Sequence, residues 1–201
     1  MDKKDYVNAY MKTINIIPSN TKKLFAIGMI GLPGVGKTTF AQALGKRLNI
    51  YVSCNDTIRR FLNDQGFPGH SPNQELVEFI AESKSKYLYK NGISHVLDAD
   101  LGKFHKVARQ IAESSGAEFY LIHLVTPDNV AIDRVNARLN AIENGDMSNY
   151  SRVDEEFYHA RKKLHQKQGI PNSVVMTIDT SGDITSGIDK IEKLLKDNNV
   201  L

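Results

Sequence analysis

The sequence predicts an α/β fold in which a parallel β-sheet lies between two layers of helices. Two observations carry this prediction: apolar strand patterns alternate with helix patterns through most of the chain, and the first strand runs directly into a glycine-rich loop that opens a helix. Strands joined by helices pair in parallel through right-handed crossovers, so helices cover both sheet faces. The 201 residues are enough for one well-buried domain, and no linker composition divides residues 1–201.

The glycine-rich loop is the most specific motif of the chain. The loop and the residue after it read Gly31, Leu32, Pro33, Gly34, Val35, Gly36, Lys37, Thr38 and Thr39, which matches the phosphate-binding pattern G-x-x-x-x-G-K-[ST]. Its glycines lack a Cβ, so backbone N–H groups can surround a phosphate at the positive end of the next helix. Lys37 then reaches the β- and γ-phosphates, and the Thr38 hydroxyl ligates Mg²⁺. The alternative is a glycine-rich turn that matches by chance; the motif favours ATP and Mg²⁺ as cofactors.

In the first half of the chain, three strand patterns alternate with three helix patterns. The strands are predicted at 25–30, 50–54 and 93–98, and the helices at 39–48, 56–64 and from 71 to about 91. The third helix is predicted to begin at a capping box, Ser71 to Gln74, with proline in its first turn, and to end near Gly92. Residues 1–20 form an N-terminal extension to which the sequence assigns no role.

The second half repeats the alternation. Strands are predicted at 118–125 and 173–178, and helices at 102–114, 126–142, 151–167 and 183–197. A polar stretch at 143–151, which contains Gly145, interrupts the apolar helix face, and Ser151 is predicted to open the charged helix that follows. The chain ends on a helix with a regular apolar stripe.

Composition excludes several classes of protein. The formal net charge of +3 is too small to indicate nucleic-acid binding beyond an acceptor end. The single cysteine, Cys54, cannot form an internal disulfide, which favours a reducing compartment. A charged N-terminus without a long apolar segment predicts a soluble, cytoplasmic protein that has no membrane partner.

Two acidic residues near the end of the third strand are candidates for the metal side of a phosphate site. Asp98 follows the apolar run 93–97, and Asp100 stands two residues on. Carboxyl ends of parallel strands gather at one sheet edge, beside the glycine-rich loop, where a carboxylate can hold Mg²⁺ directly or through water. The sequence favours Asp98 as the metal ligand with Asp100 as its rival, and helix capping is the alternative role.

Asp56 and Arg59 are candidates for the acceptor side. Asp56 follows the second strand, and Arg59, three residues on, shares its helix face. The carboxylate can accept the proton of an attacking hydroxyl, and the guanidinium can bind an anionic group of the acceptor. An N-terminal cap paired with a surface arginine is the alternative.

Arg134 and Arg138 stand four residues apart on the helix that leads into the polar stretch around Gly145. A lid spanning about 134–155 with two arginines is suited to closing over ATP and stabilising charge on the γ-phosphate. Arg138 is the stronger candidate because it lies nearer the loop. The basic run from Arg161 to Lys167 is interpreted instead as a solvated helix face, since no aromatic platform accompanies it.

With these residues in place, the chain resembles the P-loop kinases related to zeta toxins, phage polynucleotide kinase and chloramphenicol phosphotransferase. The resemblance covers residues 24–195 and rests on GLPGVGKTT at 31–39, NDTIRR at 55–60, VLDAD at 96–100 and the segment from His123 to Ser148. It implies a P-loop NTPase fold with strand order 2-3-1-4-5, ATP and Mg²⁺ as cofactors, and an arginine-bearing lid. In such relatives the aspartate matching Asp56 serves the acceptor hydroxyl, and the arginine matching Arg59 binds an acceptor phosphate in the polynucleotide kinases.

The predicted function is therefore transfer of the γ-phosphate of Mg-ATP to a hydroxyl of a small molecule, a nucleotide sugar or a polynucleotide 5′ end. Two alternatives stay open at this point: a nucleoside monophosphate kinase-like phosphotransferase, and an ATP-binding switch without transfer. The sequence leaves the acceptor and the oligomeric state open.

Overall fold

A computed structural model describes residues 2–16, 18–67, 73–145 and 152–201. The strands of this part of the chain are β1 (Phe25–Ile30), β2 (Tyr51–Cys54), β3 (His95–Asp100), β4 (Glu118–Val125) and β5 (Val174–Asp179). Its helices are α1 (Lys3–Met11), α2 (Lys37–Leu48), α3 (Asn55–Asp64), α4 (Gln74–Lys90), α5 (His105–Ser114), α6 (Asp128–Glu143), α7 (Glu155–Gln168) and α8 (Thr185–Asp197). Among these helices, none is long and apolar enough to cross a bilayer.

The five strands form one parallel sheet in the order β2-β3-β1-β4-β5. This order is the predicted one, and it makes β1 the central strand. The chain leaves β1 toward β2 on one side and later returns to β4 on the other. Ligands of parallel sheets bind at such a reversal, beyond the carboxyl ends of the strands, so the fold places the glycine-rich loop at the expected position.

Strand β1 is apolar throughout because it is covered on both faces. All six of its residues are buried. Phe25, Ile27 and Met29 pack in one core cluster with residues of α2 and α8, while Ala26 and Ile30 pack in another with residues of α4 and α5. At Gly28, in the middle of the same strand, an added Cβ would lie 2.5 Å from Leu101 Cδ1, so this position requires glycine.

Several predicted boundaries shift by a few residues. The third strand covers His95–Asp100 rather than 93–98, because its pairing with β1 extends to Asp100 across an irregularity after Gly28. Helix α7 begins at Glu155, and the Asp154 side chain caps it by accepting a hydrogen bond from the Phe157 N–H. The proposed start at Ser151 and the capping box at Ser71 include residues outside the described part of the chain.

The burial of His95 leads us to expect that the fold loses stability in acid. Its side chain is fully buried, and burial lowers its pKa to about 4. Between pH 6.5 and 4, the unfolded chain therefore takes up a proton that the folded chain does not. The free energy of unfolding that is present above pH 6.5 is lost as the pH falls through this window, and the loss is up to about 3 kcal/mol. Urea unfolding at pH 7.5 and at pH 5 measures this loss of stability, which should be smaller for His95→Gln than for the unmodified protein. His159→Gln, at an exposed position of α7, should keep the full loss; equal losses in all three proteins would contradict this assignment.

Candidate active site

A cleft of about 700 Å³ opens at the carboxyl ends of the strands. The glycine-rich loop forms one end, and residues of α3, α4, α5 and α7 form the remaining walls. The predicted site residues that line it are Gly31, Pro33, Gly34, Gly36, Lys37, Thr38, Thr39, Asp56, Arg59, Asp98 and Arg138. Segments far apart in the chain thus meet in one cavity, as predicted from the strand ends.

The glycine-rich loop is shaped to hold an anion. Gly36 precedes α2 with φ +84°, in the left-handed region, and no side chain caps the first turn of this helix. The first N–H groups of α2 are therefore without an intrahelical or side-chain acceptor at the cleft. Gly34 also has positive φ, and a Cβ there would lie 2.2 Å from the Ala131 carbonyl oxygen. The loop backbone fits a polyphosphate, in agreement with the motif.

Lys37 folds back over the loop. Its Nζ donates hydrogen bonds to the Gly31 and Leu32 carbonyl oxygens at 2.8 and 2.9 Å. This enclosure lowers the pKa of Lys37 to about 8, although the carboxylates of Asp100 and Asp98 act to raise it. Both of these acceptors are neutral, so a phosphate that displaces them gains a charge-assisted contact.

Thr38 and Asp98 form the metal side of the site. The Thr38 hydroxyl donates a hydrogen bond to Asp98 Oδ1 at 3.1 Å, and this bond joins residues that are 60 positions apart in the sequence. A hydroxyl and a carboxylate at this separation, beside the loop, provide the oxygen ligands that Mg²⁺ prefers. Burial raises the pKa of Asp98, while its hydrogen bonds with Cys54 and Thr38 oppose the rise; a bound cation would favour its charged form. These residues fit Mg²⁺, and their metal role stays a prediction.

Asp100 differs from Asp98 in its contacts, which are mainly with α7. It accepts hydrogen bonds from Arg161 at 2.7 Å and from the Gly102 N–H at 3.2 Å, with His165 Nε2 at 3.3 Å. Burial acts to raise the pKa of Asp100, but His165, Lys37 and Arg161 outweigh it and hold the pKa well below its usual value. Since Oδ2 already contacts Arg161 and His165 of α7 and Oδ1 accepts from the Gly102 N–H, Asp100 is less suited than Asp98 to a metal.

The interpretation of the basic run as a solvated helix face is wrong for Arg161 and His165. Both side chains are largely covered at Asp100, and Arg161 lines the cleft. The contact depends on Tyr158, which is buried and donates to Asp128 Oδ1 at 2.7 Å, so that α7 packs on the start of α6. Helical spacing puts Tyr158, Arg161 and His165 on one face, but no local pattern indicates what that face meets.

Asp56 and Arg59 line the cleft on α3. Arg59 Nη1 donates to Asp56 Oδ1 at 3.0 Å, and its Nη2 donates to Gln74 Oε1 at 3.1 Å. The Asp56 side chain keeps 45% of its surface exposed, whereas Arg59 keeps 22%. Asp56 is the second residue of α3 rather than its cap. The pair is the one that the spacing predicts, and its catalytic role stays a prediction.

The structure separates the two predicted lid arginines. Arg134 donates to the Thr180 carbonyl at 2.9 Å and lies 3.4 Å from the Gly34 carbonyl oxygen, so it connects the glycine-rich loop to the end of β5. Arg138, one helical turn further on, lines the cleft. Of the two, only Arg138 is therefore placed to face a bound phosphate among the residues described; residues 146–151 of the predicted lid lie outside them.

A hydrogen-bond network that reaches the residues just before Asp56 was not predicted. Lys84 is fully buried and donates to the Cys54 carbonyl at 2.9 Å, and the Thr57 hydroxyl donates to the same oxygen at 2.7 Å. Because the Thr57 proton is used there, the Tyr10 hydroxyl donates to Thr57 Oγ1 at 2.7 Å. Helix α1 is thereby connected to the segment just before Asp56, which gives the N-terminal extension a supporting role.

The cysteine and the clusters of acidic and histidine side chains do not indicate a different chemistry for the cleft. Burial raises the pKa of the Cys54 thiol to about 12, so it is not a thiolate at neutral pH. Among the described residues, no group of three or more histidine, cysteine, aspartate or glutamate side chains is arranged to hold a metal ion. The chemistry of the cleft is that of phosphate, Mg²⁺ and carboxylates.

The strand order of the parallel sheet, which lies between two layers of helices, and the glycine-rich loop together define a P-loop NTPase fold. A family model described as an AAA domain matches residues 27–167, and the chain belongs to that family. No curated protein sequence matches the chain significantly.

Solved structures share the fold at low identity. APS kinase CysC of Mycobacterium tuberculosis, in complex with AMPPNP and APS, is 17% identical, with 87% of this chain and 98% of that chain covered and a TM-score of 0.56. A structure of the PezAT toxin-antitoxin system of Streptococcus pneumoniae is 15% identical, with 96% and 86% covered and a TM-score of 0.62. Shikimate kinase of Bacteroides thetaiotaomicron is 13% identical, with 86% and 98% covered and a TM-score of 0.55. At these identities the similarity concerns the fold.

Proposed function

We propose that the protein is an ATP-dependent kinase that transfers the γ-phosphate of Mg-ATP to a hydroxyl acceptor. The observation that carries the proposal is the cleft itself, because its lining continues from the phosphate loop to a carboxylate, Asp56, two residues after the end of β2. A protein that only binds nucleotide has no evident use for a second compartment. The motif resemblance to zeta toxins, polynucleotide kinase and chloramphenicol phosphotransferase supports the same class.

In the proposed reaction, the acceptor oxygen attacks the γ-phosphorus, the bond to the β–γ bridging oxygen breaks, and ADP leaves. Asp56 takes the hydroxyl proton. The loop amides and Lys37 hold the phosphates, and Arg138 offsets charge on the transferring group. Mg²⁺, held by Thr38 and Asp98, would neutralise the polyphosphate. Arg161 and Asp100 fix α7 against the sheet edge on the side where the transfer takes place.

The segment at about 134–155 is proposed as the lid of a single domain comprising residues 1–201. Arg134 and Arg138 lie on α6, which ends at Glu143 before Gly145 with φ +93°. A glycine in this region supports a change of chain direction that most residues adopt only with strain. Closure of the segment would bring Arg138 over the phosphates and exclude water.

A monophosphate acceptor is supported less well. Arg59 is the cation at the acceptor end of α3, and its charge is already neutralised by Asp56 at 3.0 Å. A nucleoside monophosphate kinase needs cations free to bind the acceptor phosphate. The other alternative, an ATP-binding switch, predicts that substitution of Asp56 has no effect on any reaction.

A screen for transfer of labelled γ-phosphate tests the proposal. Purified protein with Mg-ATP should label at least one compound in a panel of sugars, amino alcohols, nucleosides, nucleotides and oligonucleotides, and Lys37→Met should label none. Tight ATP binding without transfer to any compound would contradict the kinase assignment and favour the switch. Transfer only to phosphate oxygens would favour the monophosphate kinase.

A further inference from the structure

Outside the glycine-rich loop, the cleft has two unlike walls. One is a stripe on the first turns of α5 and the residue before it: Phe104, Val107, Ala108 and Ile111 all line the cleft at helical spacing. Phe104 and Val107 keep 40% and 39% of their surface exposed, and Phe157 of α7, which lines the same cavity, keeps 48%. Large apolar side chains exposed inside a polar cleft indicate a ligand that covers them.

The other wall is polar and acidic. Gln74, Glu78, Ala81, Glu82 and Ser85 repeat at helical spacing along α4 and line the cleft. Glu78 accepts a hydrogen bond from Gln74 Nε2 at 2.8 Å, which is a neutral donor. In the described part of the chain, no side chain donates a hydrogen bond to Glu82 or forms an ion pair with it.

The charges of these walls disfavour an anionic acceptor. Asp56, Glu78 and Glu82 project from α3 and α4, where Arg59 is the lining cation and is already paired with Asp56. Of the other cleft cations, Arg138 and Arg161 lie on α6 and α7, and Lys103 directly precedes Phe104. An acceptor with a phosphate or carboxylate would place its charge against carboxylates, at a cost that increases with its burial.

From these two walls we infer that the acceptor is an amino alcohol with an apolar or aromatic body. The body covers Phe104, Val107 and Phe157, the protonated amine faces Glu82 and Glu78, and the hydroxyl points to Asp56. This inference rests on the proposed kinase function and specifies its acceptor. Polynucleotide ends, nucleotides and sugar phosphates are thereby placed among the poor acceptors.

Three probes that differ in the charged or polar group at one position test the inference: phenylethanolamine, styrene glycol and mandelate each carry a hydroxyl beside a phenyl ring, with an ammonium, a neutral hydroxyl or a carboxylate next to it. Their dissociation constants are measured by titration calorimetry or NMR on the full chain with Mg²⁺ and a non-hydrolysable ATP analogue. We expect phenylethanolamine to bind about two- to fivefold more tightly than styrene glycol, as for a partly exposed ion pair, and mandelate to bind most weakly. Glu82→Gln should reduce the advantage of the amine, and Phe104→Ala should weaken all three by about three- to tenfold.

Two substitutions on the outer side of the same wall serve as matched controls. Glu75→Gln removes a carboxylate of α4 that pairs with Lys3 outside the cleft, and Phe79→Ala removes an α4 ring of similar exposure, 37%, that does not line it. Neither should change the order of the probes. Mandelate binding best, no probe binding at all, or an order unaffected by Glu82→Gln would overturn the inference.

Labelled-phosphate transfer separates this inference from the function on which it rests. Transfer that prefers an oligonucleotide end or a nucleotide over phenylethanolamine would leave the kinase in place and overturn the amino alcohol acceptor. The expected binding order without transfer to any acceptor would leave the ligand class in place and contradict the kinase.

Discussion

Replacing Lys37 with methionine should remove phosphate transfer while leaving the fold intact. Lys37 contributes a single ammonium group to the phosphate site, where it is held by the Gly31 and Leu32 carbonyls at 2.8 and 2.9 Å. Loss of one such preorganised donor to a transferring group lowers kcat by roughly 10²–10³-fold, and ATP binding should weaken as well. Stability should hardly change, because enclosure already disfavours the charged form, lowering the pKa of Lys37 to about 8, and methionine keeps most of the side-chain length.

The measurements are steady-state transfer of labelled γ-phosphate, ATP titration calorimetry and urea unfolding. Lys46→Met is the matched control, since Lys46 lies in the last turn of the same helix and is exposed. It should behave as the unmodified protein in all three assays. A Lys37→Met protein that transfers phosphate at the normal rate would contradict the assigned role of the loop lysine.

Replacing Asp56 with asparagine should suppress transfer without weakening ATP binding. The side chain is nearly isosteric, but an amide cannot take the proton of the acceptor hydroxyl. General-base catalysis contributes about 10²–10⁴-fold, so kcat should fall by a factor in this range. The ATP dissociation constant should be unchanged, because Asp56 lies on α3, outside the glycine-rich loop that holds the phosphates. Loss of the Asp56–Arg59 ion pair should cost at most about 1 kcal/mol, as for other exposed pairs.

Asp64→Asn provides the comparison, because Asp64 is the last residue of the same helix, is exposed and does not line the cleft. Its kcat and ATP affinity should match those of the unmodified protein. Rapid transfer by Asp56→Asn would show that another group serves the acceptor. Weakened ATP binding by Asp56→Asn would instead place Asp56 at the nucleotide.

The sequence predicted the sheet and the phosphate loop because both depend on local chemistry. Strand β1 is a continuous apolar run that can be satisfied only by burial on two faces, and Gly34 and Gly36 stand where the loop requires positive φ. The pairing of Asp56 with Arg59 also follows from local spacing, since three residues separate neighbours on a helix face. Such features need no knowledge of what lies elsewhere in the chain.

Boundaries set by pairing between segments were less well predicted. Strand β3 starts and ends two residues later than its composition indicates, because its register with β1 determines where the ladder runs. The first turn of α7 depends on the Asp154 cap, which competes with other polar residues of the same stretch. Composition places an element, whereas hydrogen bonds to its neighbours decide where it ends.

By itself, then, the sequence determined the fold and the end of the cleft that holds phosphate, through glycine conformation and apolar patterning over short distances. The tertiary structure decided which carboxylate faces Thr38, turned Arg161 from a surface charge into a partner of Asp100, and connected Tyr10 through Thr57 to the Cys54 carbonyl. It also brought the apolar stripe of Phe104 and α5 and the acidic face of α4 into one cleft. These contacts join residues tens of positions apart, so they depend on how the helices pack on the sheet, which no local pattern specifies.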